Sequence, residues 1–136
     1  MSSMVIGLAS GSLEKLVVAS TITAGAVALE MDVDIYLLLG GAYAFRKDVA
    51  CEGTYCDCPE LREEMAAGMT GNAVPAPLDN LRKLKGEGNL HIHACGMAGK
   101  VWGAGALEDF VDVVDNIVGI AEYITRCKDA DVVEVL

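Results

Sequence analysis

Short apolar runs alternate with longer helical patterns in the first third of the chain. Residues 4–9 are continuously apolar, as in a strand that is covered on both faces, and the turn residues 10–12 lead into a helix predicted over 13–30. A turn is predicted at 32–34, and the apolar run 35–39 after it predicts a second strand. Strand, helix and strand in this order form a crossover unit, which is right-handed in nearly all known sheets.

The middle of the chain has no sustained pattern. A short amphipathic piece, 42–48, precedes an irregular insertion at about 50–77, which is rich in Gly, Pro and Asp and carries three of the five cysteines. Within it, 60–68 predicts a helical turn or two. Long irregular segments of this kind are typical of lids and binding loops. The apolar spacing over 78–85 then predicts a short amphipathic helix.

The rest of the chain is organised around the run that ends at Cys95. Apolar residues alternate with two histidines over 90–94, after a turn signal at 86–89, so the spacing predicts a strand that stops at Cys95. In parallel sheets, ligands bind at the carboxyl ends of the strands. A helix that begins just after Cys95 would turn its amide groups and positive dipole end toward the thiol and favour the reactive thiolate.

The C-terminal part predicts further helices and a closing strand. The Gly- and Ala-rich segment 98–105, which holds the only tryptophan, suggests a loosely helical turn, and 107–114 has a helical pattern. The short apolar run 116–119 fits either a strand or more helix. A helix is predicted over 120–128, with basic residues near its end, and a terminal strand over 131–136.

Composition narrows the class of protein. Hydrophobic residues make up 53% of the 136 residues and aromatic residues only 5%, which favours an α/β fold with parallel strands built from aliphatic side chains. The length, 1–136, fits one domain. A net charge of −10 has the wrong sign for nucleic acid and for an anionic membrane surface, so neither is an expected partner.

The uncharged run 16–29 has some features of a secretory signal or a membrane span. It is shorter than the roughly 20 residues that cross a bilayer, and its Ser, Thr and Gly residues dilute its apolar character. A signal peptide would also include the predicted first strand. We therefore expect a cytoplasmic protein with reduced thiols, in which cysteines serve reactivity, metal binding or packing more often than disulfides.

The order and spacing of these segments resemble the DsrE/DsrF-like family, which includes sulfur-relay proteins of the TusBCD type. The likeness lies in the first strand and its small-residue helix, in a second strand that ends at Gly40-Gly41, in the strand that closes on 94–97, and in the terminal strand 131–136. It implies a three-layer sandwich, with about five mostly parallel strands between helices, assembled as a homotrimer or hexamer. The insertion departs from the family pattern.

The resemblance also implies a chemistry. It makes Cys95 the residue that holds sulfur as a persulfide or thiosulfonate, loaded from a small sulfane-sulfur or thiosulfonate donor and passed to a TusA-type carrier protein. Backbone amides of Gly96 and Met97 could approach the sulfur or a transferred anion, and Lys100 could add positive charge nearby. No cofactor is expected. A non-catalytic adaptor subunit of a sulfur-relay complex is the alternative from another class.

The remaining cysteines and the histidines leave other roles open. Cys51, Cys56 and Cys58 suggest a resolving or relay function first and a metal site second, since their spacing lacks the paired ligand sets of structural zinc. His91 and His93 could offer imidazoles to zinc, but no third ligand is evident, and His93 could instead pair with Cys95. We therefore expect no bound metal, and a metal-binding His/Cys protein remains an alternative.

Overall fold

The apolar runs form one parallel sheet in a computed structural model that describes residues 2–136. The strands are β1 (Ser3–Leu8), β2 (Asp32–Leu37), β3 (Leu90–Cys95), β4 (Asn116–Val118) and β5 (Val132–Val135). Their order across the sheet is β4-β3-β2-β1-β5, and every neighbouring pair is parallel. The predicted α/β class with five parallel strands is confirmed.

Helices cover both faces of the sheet and its carboxyl edge. They are α1 (Leu13–Ala28), α2 (Leu39–Ala44), α3 (Arg62–Gly71), α4 (Pro77–Glu87), α5 (Gly96–Val101) and α6 (Ile120–Asp129), with 3₁₀ turns at Pro59–Leu61 and Leu107–Asp109. The α1 and α4 helices pack together over one face, and α6 contacts β1 on the other. Within residues 2–136, no helix combines the length and the apolar character that a membrane span requires.

The two faces of the sheet differ in chemistry because side chains alternate along each strand. On the α1/α4 face, Ile6, Ile35 and Ile92 form one row across β1, β2 and β3 and are completely buried. Burial of each such side chain contributes about 1.5–3 kcal/mol, so this row is the centre of the core. The opposite face of β2 and β3 carries buried polar residues, Asp34 and His93 among them.

Two predicted elements are corrected. The turn expected at 32–34 is the start of β2, because the polar side chain of Asp34 finds buried partners on β3 and α6. The helix expected over 107–114 is only the 3₁₀ turn. Beyond it the backbone is extended at Phe110, which bridges to Arg46, and the Val111 amide bonds to the Phe45 carbonyl at 2.9 Å. The ambiguous run after 115 is strand β4.

The cysteine-containing part of the insertion is attached to the start of α1. The Ser12 hydroxyl donates to the Asp57 carboxylate at 2.9 Å, and the Glu14 carboxylate accepts from the amides of Asp57 at 3.1 Å and Cys58 at 2.8 Å. Two carboxylates therefore occupy the positive end of α1. This end of the helix offers no place for a phosphate or another anion.

Candidate functional site

Cys95 lies where the sequence predicted it, at the carboxyl end of an inner strand. It is the last residue of β3, pairs with Val118 of β4, and is the residue from which α5 begins. Its side chain is only 6% exposed and packs with the hydrophobic core. The thiol of this single chain is therefore covered, although its backbone lies at the edge where α/β proteins bind ligands.

The cover over Cys95 is the short helix α5. Gly96 and Met97 are its first two residues, and no side chain of the described part of the chain caps their amides. Met97 is 64% exposed, whereas Ala98 and Gly99 face inward and are buried. A Cβ at Gly96 would make only ordinary contacts, 3.5 Å from Ile117 Cγ2 and 3.6 Å from the Val118 carbonyl oxygen, so lack of space does not require glycine at this position.

His93 lies two residues before Cys95 on the same face of β3 but does not bond to it. Its Nε2 lies 2.8 Å from Asp34 Oδ1, and its Nδ1 lies 2.6 Å from Asn116 Oδ1. Both partner atoms are oxygens, an arrangement that suits a ring with both nitrogens protonated. Burial alone would lower the pKa of His93, but the bonds to Asp34 and Asn116 outweigh burial and raise it.

Arg126 of α6, the helix over this face of the sheet, also bonds to Asp34. Its Nη2 donates to Asp34 Oδ2, so the two oxygens of the carboxylate are divided between β3 and α6. Burial would raise the pKa of Asp34, yet the bonds from His93 and Arg126 hold it below its ordinary value. We call Asp34, Tyr36, His93, Asn116 and Arg126 the polar cluster.

Tyr36 is the aromatic member of the polar cluster. Its ring stacks on that of His93 with centroids 4.6 Å apart, and its centroid lies 5.2 Å from that of the Tyr123 ring on α6. Burial, reinforced by the Asp34 carboxylate, raises the pKa of Tyr36 to about 12, so the phenol is neutral. The cluster is thus a set of paired charges and one neutral ring, and it ties the middle of the sheet to α6.

The carboxylate beside His93 was missed at the level of sequence because Asp34 was assigned to a turn. A usable signal was present. Residues 33, 35 and 37 are apolar and alternate with the polar residues Asp34 and Tyr36, as expected of a strand with one polar face. That face would have placed a carboxylate next to the two histidines. Arg126 carries no comparable signal, because its position depends on how α6 crosses the sheet.

The other predicted accessory residues lie apart from Cys95. Cys51, at the start of the insertion, is buried in the hydrophobic core, and burial raises the pKa of its thiol to about 12. Cys58 is exposed and Cys56 half-buried, both near the start of α1, while Cys127 lies on α6 beside Tyr123. All five cysteines are free thiols. Across residues 2–136, no group of three or more His, Cys, Asp or Glu side chains is arranged to hold a metal ion.

Comparison with known proteins supports the fold. No protein-family model matches the chain, and no curated protein matches it by sequence. Among solved structures, it is similar to MTH1491, a protein of unknown function from Methanobacterium thermoautotrophicum, with a TM-score of 0.66 and 12% identity over the whole of both chains. It is also similar to the ychN protein of E. coli, with a TM-score of 0.59 and 15% identity over both complete chains.

These two likenesses confirm the α/β fold of five parallel strands between helices that the sequence predicts. Identities of 12% and 15% are too low to carry a function from one protein to another, so the comparison concerns the fold alone. Any chemistry must be argued from the residues of this chain.

Proposed function

We propose that the protein is a sulfur carrier that holds sulfur on Cys95 as a persulfide or thiosulfonate and transfers it to a small thiol carrier of the TusA type. The observation that carries the proposal is the position of Cys95, at the carboxyl end of β3 and at the start of α5. The sequence resemblance to the DsrE/DsrF-like family and the DsrE-like fold support it.

The transfer needs only thiol exchange. The Cys95 thiolate attacks a sulfane sulfur of the donor, an S–S bond forms at Cys95, and the donor S–S bond breaks with release of a thiolate, or of thiosulfate when the donor is tetrathionate. A carrier thiolate then attacks the outer sulfur in the same way and regenerates Cys95. Amides of Gly96 and Met97, at the uncapped start of α5, would solvate the transferred anion.

The surroundings of the other cysteines fit this role less well. Cys51 has a raised pKa and lies in the core, so little thiolate is available to it. Cys56 and Cys58 belong to the segment attached to α1, and Cys127 contacts Tyr123 in the middle of α6. An accessory role in unloading would fall to the accessible Cys58.

The test is the replacement Cys95→Ser. Wild-type protein incubated with tetrathionate or polysulfide should gain the mass of a thiosulfonate or of one or more sulfur atoms, and peptide mapping should place it on Cys95. The Cys95→Ser protein should lose this loading while its size in solution is unchanged. Cys127→Ser is the matched control, since it removes a thiol from the sheet face covered by α6, and it should load as the wild type does.

Two results would contradict the proposal. Normal loading of the Cys95→Ser protein would move the chemistry to another cysteine, with the insertion as the next candidate. A wild-type protein that loads with neither donor, while its thiols react with a small alkylating reagent, would favour the non-catalytic adaptor.

A further inference from the structure

A second feature of the carboxyl edge is a cavity of about 520 Å³ beyond the ends of β1 and β2. This volume is within the range of small-molecule sites, roughly 300–1,000 Å³. Cys95 does not line it. The lining residues come from the turn after β1, from α2, from the end of α5 and from the insertion, and they are Ala9, Leu39, Gly40, Tyr43, Tyr55 and Trp102.

The aromatic residues of the chain are unevenly distributed. There are only seven, namely one Trp, four Tyr and two Phe. Two belong to the buried core and two to the contact between the sheet and α6, and the other three residues, from three separate segments, line the cavity. The core residues are Phe45 and Phe110, those between the sheet and α6 are Tyr36 and Tyr123, and those of the cavity are Tyr43, Tyr55 and Trp102. This concentration gives the cavity an aromatic wall.

The rings are held in place before any ligand arrives. The Trp102 indole N–H donates to the Leu39 carbonyl at 2.7 Å, and the Tyr55 hydroxyl accepts from the Gly11 amide at 3.1 Å. Tyr43 and Trp102 pack at a tilt, with centroids 5.1 Å apart. Ordered side chains lose less conformational entropy when a ligand binds, so such a wall favours binding of another flat ring.

The cavity offers no charged side chain that could pair with an ionic ligand. Its lining contains no Asp, Glu, Lys or Arg. The nearest guanidinium, that of Arg46, lies 5.6 Å over the Tyr43 ring, and it is bound by Asp48 through two bonds of 3.1 and 2.7 Å. One face of the Tyr43 ring is therefore already occupied by a paired cation, which leaves no unpaired charge to attract an anion and disfavours a second cation.

We propose that this cavity binds the flat aromatic ring of a small uncharged molecule, which packs against Tyr43, Tyr55 and Trp102. The site is separate from Cys95 and does not depend on sulfur transfer. Because lining residues belong to α2, to the end of α5 and to the insertion, a bound ligand would contact all three segments.

The probe is quinoline, a neutral flat bicycle at pH near 7.5. Trp102 is the only tryptophan, so its indole N–H gives a single signal in a ¹H–¹⁵N correlation spectrum of the labelled protein. Quinoline should shift this signal in a saturable way, with a dissociation constant on the order of 1 mM, as expected of a fragment with few atoms. Cyclohexanemethanol and tetramethylammonium serve as non-aromatic and cationic comparison compounds.

Variants at Tyr43 separate ring packing from general apolar contact. Tyr43→Leu should weaken quinoline binding roughly three- to tenfold, because it replaces an aromatic ring by an aliphatic side chain. Tyr43→Phe keeps the ring and should bind within about twofold of the wild type. Leu61→Ala, at an exposed apolar position outside the cavity, is the control and should bind as the wild type does.

Four results would overturn the proposal. They are the absence of a saturable shift with quinoline, an equal affinity for cyclohexanemethanol, a higher affinity for tetramethylammonium, and a shift of the Trp102 signal on dilution of the protein alone. The last result would mean that a second copy of the chain covers the cavity.

Discussion

At the scale of single residues, the Asp34 carboxylate and the His93 ring form a hydrogen-bonded pair where a parallel sheet usually carries apolar side chains. Such a pair contributes little net stability while both partners are present, because desolvation of the two charges offsets their attraction. Removal of one partner is more costly: without Asp34 the ring of His93 loses its carboxylate, and without His93 the Oδ1 atom of the buried Asp34 loses its hydrogen bond while Arg126 still binds Oδ2. The pair therefore makes folding sensitive to any condition that discharges either residue.

The stability of the folded protein should depend on pH. The pKa of His93 is raised in the folded state, against burial, by Asp34 and Asn116. The stabilisation from this shift is fully present below the unfolded-state pKa, about 6.5, and is lost as pH rises through the folded-state pKa. The free energy of unfolding, measured by urea titration at one fixed protein concentration, should therefore fall as pH increases above about 6.5.

Two variants test the origin of this slope. His93→Gln should be less stable than the wild type at about pH 6 and should lose the slope that His93 causes. His91→Gln changes an exposed histidine on the same strand and should keep the slope, because Asp34 and His93 remain. A wild-type slope that survives in His93→Gln would assign the pH dependence to another group.

At the scale of elements, sequence patterns identified the units whose side chains alternate or repeat regularly. The β3 strand and the helices α1 and α4 follow from local spacing, because each buries one regular set of apolar or small residues. The α6 helix follows from its amphipathic spacing, although none of its residues is fully buried. The segment after Leu107 has a helical spacing, but its Phe110 and Val111 are used to pair with the chain near Phe45. Tertiary pairing of this kind leaves no local signal.

The candidate site, too, could be predicted only where it depends on local spacing. The position of Cys95 at the end of a strand depends only on local spacing, so it was accessible from sequence. The burial of its thiol depends on how α5 folds back over the strand end, and the aromatic cavity depends on how α2, the end of α5 and the insertion meet in space. Neither of these could be predicted before the fold was known.

The short helix α5 leads to a prediction about access to Cys95. A six-residue helix has little intrinsic stability, so we expect Cys95 to react through local opening of α5. Lys100→Gly, at an exposed position of α5, should destabilise the helix by about 0.7–1 kcal/mol and raise the rate of Cys95 alkylation by iodoacetamide about three- to fivefold. Peptide mass mapping at successive times would separate Cys95 from the other cysteines.

The matched control is Lys83→Gly on α4, where the side chain is also exposed. It should lower global stability by a similar amount but leave the Cys95 rate unchanged. Equal acceleration in both variants would show that Cys95 becomes reactive only through global unfolding, and would contradict local opening of α5.

At the scale of the whole molecule, apolar side chains remain uncovered along one side of the chain. They lie on α6 and on β5, which forms an edge of the sheet. Ile124 of α6 is 53% exposed, and Val135 of β5 is 64% exposed. An unpaired strand edge beside exposed apolar side chains is a common site of association. The homotrimer or hexamer that the family resemblance implies stays a prediction, and we expect its interface at these positions.

The last prediction is therefore that the wild-type protein forms a stable assembly through α6 and β5. Light scattering after gel filtration should give no species near the 14.3 kDa mass of one chain at micromolar concentration. Ile124→Asp should weaken the assembly at least about tenfold, since a carboxylate buried in an apolar interface costs more than about 1.4 kcal/mol. Leu61→Asp, at an equally exposed position of the insertion, is the control and should leave the assembly intact. A monodisperse wild-type monomer would contradict the prediction, and dissociation of both variants alike would place the interface elsewhere.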